Sequence, residues 1–124
     1  MEIIKNILAV GAGSFVGGAA RYLVSLGMKG IGKGFPWATL AVNLVGCLMI
    51  GLLSGLLSRN AAENTSWGLF LTVGLCGGFT TFSTFSKEAL AMLQTGQMWG
   101  FASYIAISVL AGIALVALGY YIAR

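Results

Sequence analysis

Apolar residues fill this chain in four long stretches, and the charged positions lie between them or near their ends. Charges are strongly disfavoured at bilayer depth and collect at helix ends, so their placement divides the sequence. The first stretch covers residues 3–26, is uncharged from Asn6 to Ala20, and runs into the Gly/Lys turn GMKGIGKGF. The second, residues 36–58, opens at Pro36, a favourable first-turn residue because its missing N–H has no helical use there. It is uncharged from Trp37 to Ser58 and gives way to Arg59 and the polar turn NAAENTS. The third, residues 67–94, carries Lys87 and Glu88 towards its later end, and the break TGQM leads into the fourth, residues 98–123, closed by Arg124. Each stretch reaches the roughly 20 residues that a helix needs to cross a bilayer. Trp37, Trp67, Trp99, Tyr120 and Tyr121 sit at the ends, where amphipathic rings favour the interface. The pattern predicts an all-α integral membrane protein with four transmembrane helices, forming a single membrane domain over residues 1–124.

Composition narrows the function classes. Of the 124 residues 58% are hydrophobic and 8% charged, against about a quarter charged in soluble domains, which excludes a soluble globular protein and a disordered one. The seven Lys/Arg are scattered, so no nucleic acid is expected as a partner. There is no His, the acids are only Glu2, Glu63 and Glu88, and both cysteines, Cys47 and Cys76, lie in apolar runs. Zinc and haem sites lack ligands, nucleophile–His pairs lack their base, and paired carboxylates are missing, so the chain is not expected to be an enzyme. Cys47 and Cys76 read as buried small apolar residues rather than a disulfide. Lys5, an apolar run and the GGAA sequence imitate a secretory signal, but with three spans behind it the first stretch reads as a retained helix.

Four spans place Lys5, Arg59 and Arg124 on one side and Lys29 and Lys33 on the other, with Arg21 and Lys87 as helix-end candidates. The Lys/Arg bias that sets orientation is therefore close to zero. A chain without that bias is able to insert both ways round, which allows an antiparallel homodimer with its two-fold axis in the membrane plane.

Small and polar residues inside the spans carry the remaining information. Among 19 glycines, four pairs are spaced four apart: Gly13 and Gly17, Gly51 and Gly55, Gly74 and Gly78, Gly96 and Gly100. Such ridges let helices approach closely, and the expectation for most of them is oligomer packing. Asn43 lies about seven residues into the second span among aliphatic neighbours. Its amide serves either an interhelical hydrogen bond or a polar path. Tyr104 and Ser108 are four apart, so they share one helix face and form a candidate polar track, unless the serine bonds its own helix backbone. In the third span, adjacent glycines and β-branched threonines interrupt helix propensity within GLCGGFTTFSTFS, residues 74–86. A break at that depth frees carbonyls and amides that must be buried in protein, face water or coordinate an ion. Phe79, Phe82 and Phe85 recur every three residues after it; a stripe of this kind serves core packing, or else offers positive ring edges to an anion.

Together these residues resemble the small fluoride channels of the Fluc (CrcB-type) family over essentially the whole chain. GLCGGFTTFSTFSKE, residues 74–88, carries the resemblance, supported by GSFVGGAARY, residues 13–22, and TLAVNLVG, residues 39–46. The resemblance implies a dual-topology antiparallel homodimer of four-span subunits with a broken third helix, in the inner or plasma membrane of a cell. It further implies two fluoride pores, a central structural Na⁺, and fluoride, Na⁺, lipid and a second copy of the chain as partners. On that basis Asn43 resembles the pore amide, and Phe82 and Phe85 the aromatic pair lining the fluoride path. Thr81, Ser83 and Thr84 would supply hydroxyls, and Tyr104 and Ser108 the track of the fourth span. Gly77 and Thr80 match the positions whose backbone carbonyls hold Na⁺. Arg21 and Glu88 match charged positions near the pore mouths, and Phe79 is not assigned to the pore. The rival expectation, a proton-coupled small multidrug exporter, needs a carboxylate inside its first span, where this chain offers Ser14 and no acid beyond Glu2. A non-transporting assembly subunit would account for the glycine ridges but not for Asn43 or the third-span stretch.

Overall fold

The computed structural model describes residues 1–31 and 34–124; Lys33, counted in the charge balance, lies outside them. The described chain is all-helical, with α1 (Glu2–Gly27), α2 (Trp37–Arg59), a composite third span, and α6 (Met98–Ala123). The third span is built from α3 (Ser66–Leu69), a wider π-helical run (Phe70–Cys76), α4 (Gly77–Phe79) and α5 (Ser83–Gln94). Four segments, Glu2–Gly27, Trp37–Arg59, Ser66–Gln94 and Met98–Ala123, are long and apolar enough to cross a membrane. The chain is thus a multi-pass membrane protein.

Local chemistry sets the helix ends. Pro36 sits just outside α2, its carbonyl accepting the Leu40 amide at 3.1 Å, one residue earlier than a first-turn position. Thr65 caps α3 by accepting the Gly68 amide at 3.0 Å. At the end of α5, Gly96 takes φ 78°, and the Gln97 and Gly96 amides return to the carbonyls of Met92 and Leu93 at 2.9 and 3.3 Å. That is the double bond of a glycine C-terminal stop. Gly96 therefore ends a helix, and the expectation that it belongs to a packing ridge is corrected.

The other glycine pairs also depart from the oligomer-packing expectation: they are used within the chain. A Cβ on Gly13 would meet the backbone of Phe70, Gly74 and Leu75, and one on Gly17 would meet Leu75 and Phe79. From the other side, a Cβ on Gly78 would lie 2.7 Å from the Ser14 carbonyl oxygen. On α2, Gly51 faces Val116 and Gly55 faces Tyr120, while Gly119 of α6 faces Leu48 and Leu52. In each pair the numbers rise together, so α1 runs parallel to the first half of the third span and α2 runs parallel to α6. A small core forms where the start of α2, α5 and the start of α6 meet: Leu40, Ala89, Met92 and Tyr104, with Phe35, Leu44, Phe85 and Phe101 against it. Large apolar side chains such as Phe15 and Leu110 point outward, as expected where the surrounding solvent is lipid.

Substituting Gly17→Val pushes a side chain into fixed backbone of Leu75 and Phe79, at a cost of about 1–3 kcal/mol or more. Gly11→Ala, where a Cβ meets nothing within 4 Å, is neutral or stabilises the helix by up to about 1 kcal/mol. Thermal unfolding of the detergent-solubilised protein checks the pair: a clear drop in Tm for the first and none for the second.

Candidate functional site: a cleft at the interruption of the third span

Between α4 and α5 the backbone leaves helical geometry, with Thr80 extended at φ −88°, ψ 162°. Asn43 of α2 meets this segment in a reciprocal pair. Its Nδ2 donates to the Thr81 carbonyl at 3.0 Å, and its Oδ1 accepts the Thr81 amide at 2.8 Å. Of the two readings of Asn43, the interhelical hydrogen bond is therefore present, made to backbone rather than to a side chain. Gly46, one turn on, leaves room for the Thr80 methyl, which a Cβ there would strike. The Thr81 hydroxyl accepts the Thr84 amide at 3.2 Å and lies 3.5 Å from the Ser83 hydroxyl.

A cleft of about 380 Å³ opens beside this segment. Asn43, Gly77, Thr80, Thr81, Phe82, Phe85 and Ser108 all line it, so seven positions singled out from the sequence come together. Phe82 is 78% exposed, with its ring centroid 5.8 Å from that of Phe85 at 42°. The Ser108 Oγ is buried and has no hydrogen-bond partner among the described residues, whereas buried hydroxyls ordinarily have one. The walls are otherwise apolar apart from Thr72, and Cys47 and Cys76 contribute to them as free thiols.

A second, smaller cavity of about 190 Å³ is more polar than the cleft and is lined by Arg21, Thr39, Thr81, Thr84 and Glu88, among others. Thr81 is common to both cavities. Arg21 reaches from α1 to donate its Nε–H to the Gly78 carbonyl at 3.1 Å. Tyr104 is fully buried, lines neither cavity, and donates its hydroxyl to Glu88 Oε1 at 2.9 Å. Its ring packs against Phe85 at 4.9 Å between centroids. Tyr104 and Ser108 thus share a helix face without presenting their hydroxyls to one space. Ser83 is exposed and lines neither cavity.

Two threonines were overlooked in the sequence. Thr39 is buried and lines the polar cavity; it lies four residues before Asn43 on the same face of α2, a spacing that could have identified it. Thr72 lines the larger cleft, but its hydroxyl is spent on the Gly68 carbonyl at 2.8 Å, and no sequence signal marks it. Among the described residues no three His, Cys, Asp or Glu side chains gather as metal ligands. Any cation held at this site would be held by neutral oxygens, from backbone carbonyls or from the amide and hydroxyl side chains of the cleft.

Comparison with known proteins relates this chain to a family by sequence. The family described as "CrcB-like protein, Camphor Resistance (CrcB)" matches residues 8–120. A "Fluoride-specific ion channel FluC" of Desulfotalea psychrophila is 42% identical over 124 residues, 100% of this chain and 96% of that protein. The protein of the same name from Phocaeicola vulgatus is 44% identical over 122 residues, 98% of this chain and 100% of its own length. That of Chlorobaculum tepidum is 43% identical over 122 residues, covering 98% and 97%. With relatives at this identity from end to end and a family match over the four spans, the chain belongs to the CrcB-like family.

Proposed function

We propose that this protein is a passive, fluoride-selective ion channel that lowers cytoplasmic fluoride. The observation that carries the reading is the end-to-end identity of about 40% with relatives named fluoride-specific ion channels. The cleft supports it chemically. Fluoride is small and strongly hydrated, so a selective path must replace its water with hydrogen-bond donors while binding weakly enough to release the ion. Asn43 commits one Nδ2–H to Thr81 and keeps a second; Ser108 holds an unpartnered hydroxyl; Phe82 and Phe85 offer ring edges of weak positive potential. Among the described residues no Lys or Arg side chain lines that cleft to trap the anion. In an acidic medium HF enters by diffusion and ionises in the more alkaline cytoplasm, so a passive leak for F⁻ is sufficient.

The working unit is an antiparallel homodimer with two pores and a central Na⁺. Exposure of Gly77, Phe82, Ser83 and Ser86 along the middle of a span supports a covering partner, since lipid offers backbone and hydroxyl groups nothing to bond. The residues fit the cation. Among the described residues the Gly77 and Thr80 carbonyls accept no backbone amide across the interruption, and both residues line the cleft. Uncompensated carbonyls at a discontinuous helix suit Na⁺, and two from each of two copies would supply four oxygens. When bound, the cation would neutralise these dipoles and tie the two copies together.

Reconstituted liposomes loaded with fluoride or chloride test the channel, with a K⁺ ionophore relieving the opposing voltage and an ion electrode reading efflux. Rapid F⁻ release with chloride retained is expected; retention of both ions overturns the reading. Asn43→Asp places an acid at the cleft wall, and Phe82→Ile removes a ring edge. Each is expected to cut F⁻ efflux by at least about tenfold while the dimer elutes normally on size exclusion. Collapsing a pH gradient with a protonophore at fixed voltage should leave the F⁻ rate unchanged; a rate that follows the gradient indicates proton coupling instead.

A further inference from the structure

Four amides, those of Thr81, Phe82, Ser83 and Thr84, would bond the carbonyls of Gly77, Gly78, Phe79 and Thr80 if the third span continued as an α-helix. Among the described residues the bonds due to the carbonyls of Gly77, Gly78 and Thr80 are absent. Side chains have taken their members one at a time. Asn43 Oδ1 accepts the Thr81 amide at 2.8 Å, removing the donor due to Gly77. The Thr81 hydroxyl accepts the Thr84 amide at 3.2 Å, removing the donor due to Thr80. Arg21 Nε occupies the Gly78 carbonyl at 3.1 Å. That leaves the carbonyls of Gly77 and Thr80 without helical partners, and both residues line the large cleft.

We propose that Asn43 and Arg21 are positioning residues for a monovalent cation: they divert the backbone groups at the interruption so that the Gly77 and Thr80 carbonyls stay free for it. This rests on the central-cation reading above. Asn43 acts on both sides of one residue, accepting the Thr81 amide and donating to the Thr81 carbonyl, so neither flanking peptide of Thr81 is free to turn back towards α4. Arg21 acts from α1, on the Gly78 carbonyl. It can reach Gly78 because Gly17, one turn earlier, brings α1 into backbone contact with the third span. The two side chains therefore fix the interruption from α2 and from α1. Asn43 then has two separable duties, one towards the permeating anion with its remaining N–H and one towards the backbone with its carbonyl oxygen.

The test uses the purified dimer and follows Tm against Na⁺ concentration, with N-methyl-D-glucamine as the replacing cation. The wild-type protein should be stabilised by Na⁺ with a defined midpoint. Asn43→Ala returns the Thr81 amide to Gly77 and should raise that midpoint at least about tenfold, the usual scale for losing a group that orients a metal ligand. Arg21→Met should raise it as well. Asn6→Ala, which removes the 2.7 Å bond from Ser66 far from the interruption, should leave the midpoint in place even if the baseline Tm falls. Asn43→Asp keeps the acceptor for the Thr81 amide, so it should retain a midpoint within about threefold of wild type although fluoride efflux is lost. A wild-type protein indifferent to Na⁺ defeats the central-cation reading and this proposal with it. A normal wild-type response with an unshifted midpoint in both Asn43→Ala and Arg21→Met defeats the proposal alone. Should those two fail to assemble, a lost Na⁺ response in Asn43→Asp has the same force.

Discussion

A polypeptide inside a bilayer has no water to fall back on, so each backbone donor or acceptor released from a helix costs several kcal/mol unless protein satisfies it. The reciprocal bond between the Asn43 amide and Thr81 answers that constraint at the point where the third span stops being helical. One side chain satisfies both polar groups of one residue, much as a neighbouring strand would. Much else follows from it. Thr81 becomes the wall shared by the two cavities, its hydroxyl is left to start α5 by accepting the Thr84 amide, and Phe82 and Phe85 leave that turn towards the cleft.

The interruption is usable only because its two flanks are held by different neighbours. The first half of the third span lies in backbone contact with α1 through Gly13, Gly17, Gly74 and Gly78, while α2 is held against α6 through Gly51, Gly55 and Gly119. In lipid, burying apolar surface gives little drive for helix association, so close van der Waals packing between glycine surfaces carries it. Arg21 belongs to one pair and Asn43 to the other. The geometry at Gly77–Thr81 is therefore a property of how the two pairs sit together. A side chain added at Gly17 would be felt there although it touches no cavity.

The sequence made the four spans and their order legible because apolar runs separated by charge are a strong signal in lipid. It also brought out the residues that meet at the cleft, since an amide, a run of hydroxyls and an aromatic pair have no business in a plain span. It did not reveal their partners. Spacing of four shows that Gly13 and Gly17 share a ridge, but not whether the facing helix belongs to the same chain, and here it does. Tyr104 and Ser108 share a face by the same rule, yet the long tyrosine side chain carries its hydroxyl to Glu88 and leaves Ser108 alone at the cleft. The partner of Asn43 was equally hidden, because a backbone group has no letter in the sequence. The π-helical run Phe70–Cys76 left no recognisable mark at all.

The polar cavity and the apolar cleft divide the electrostatic work that the proposed conduction requires. Fixed charge sits in the first, where Arg21 is tethered to the Gly78 carbonyl and Glu88 accepts from Tyr104, so neither side chain is free to swing into the second. Thr81 lines both, and among the described residues the rest of the cleft offers neutral donors, ring edges and apolar side chains. In the proposed channel a neutral lining of that kind lets an ion leave again, and release is what a leak pathway needs. Phe82 is 78% exposed in the single chain, so in the proposed dimer its ring is a surface for the second copy to cover.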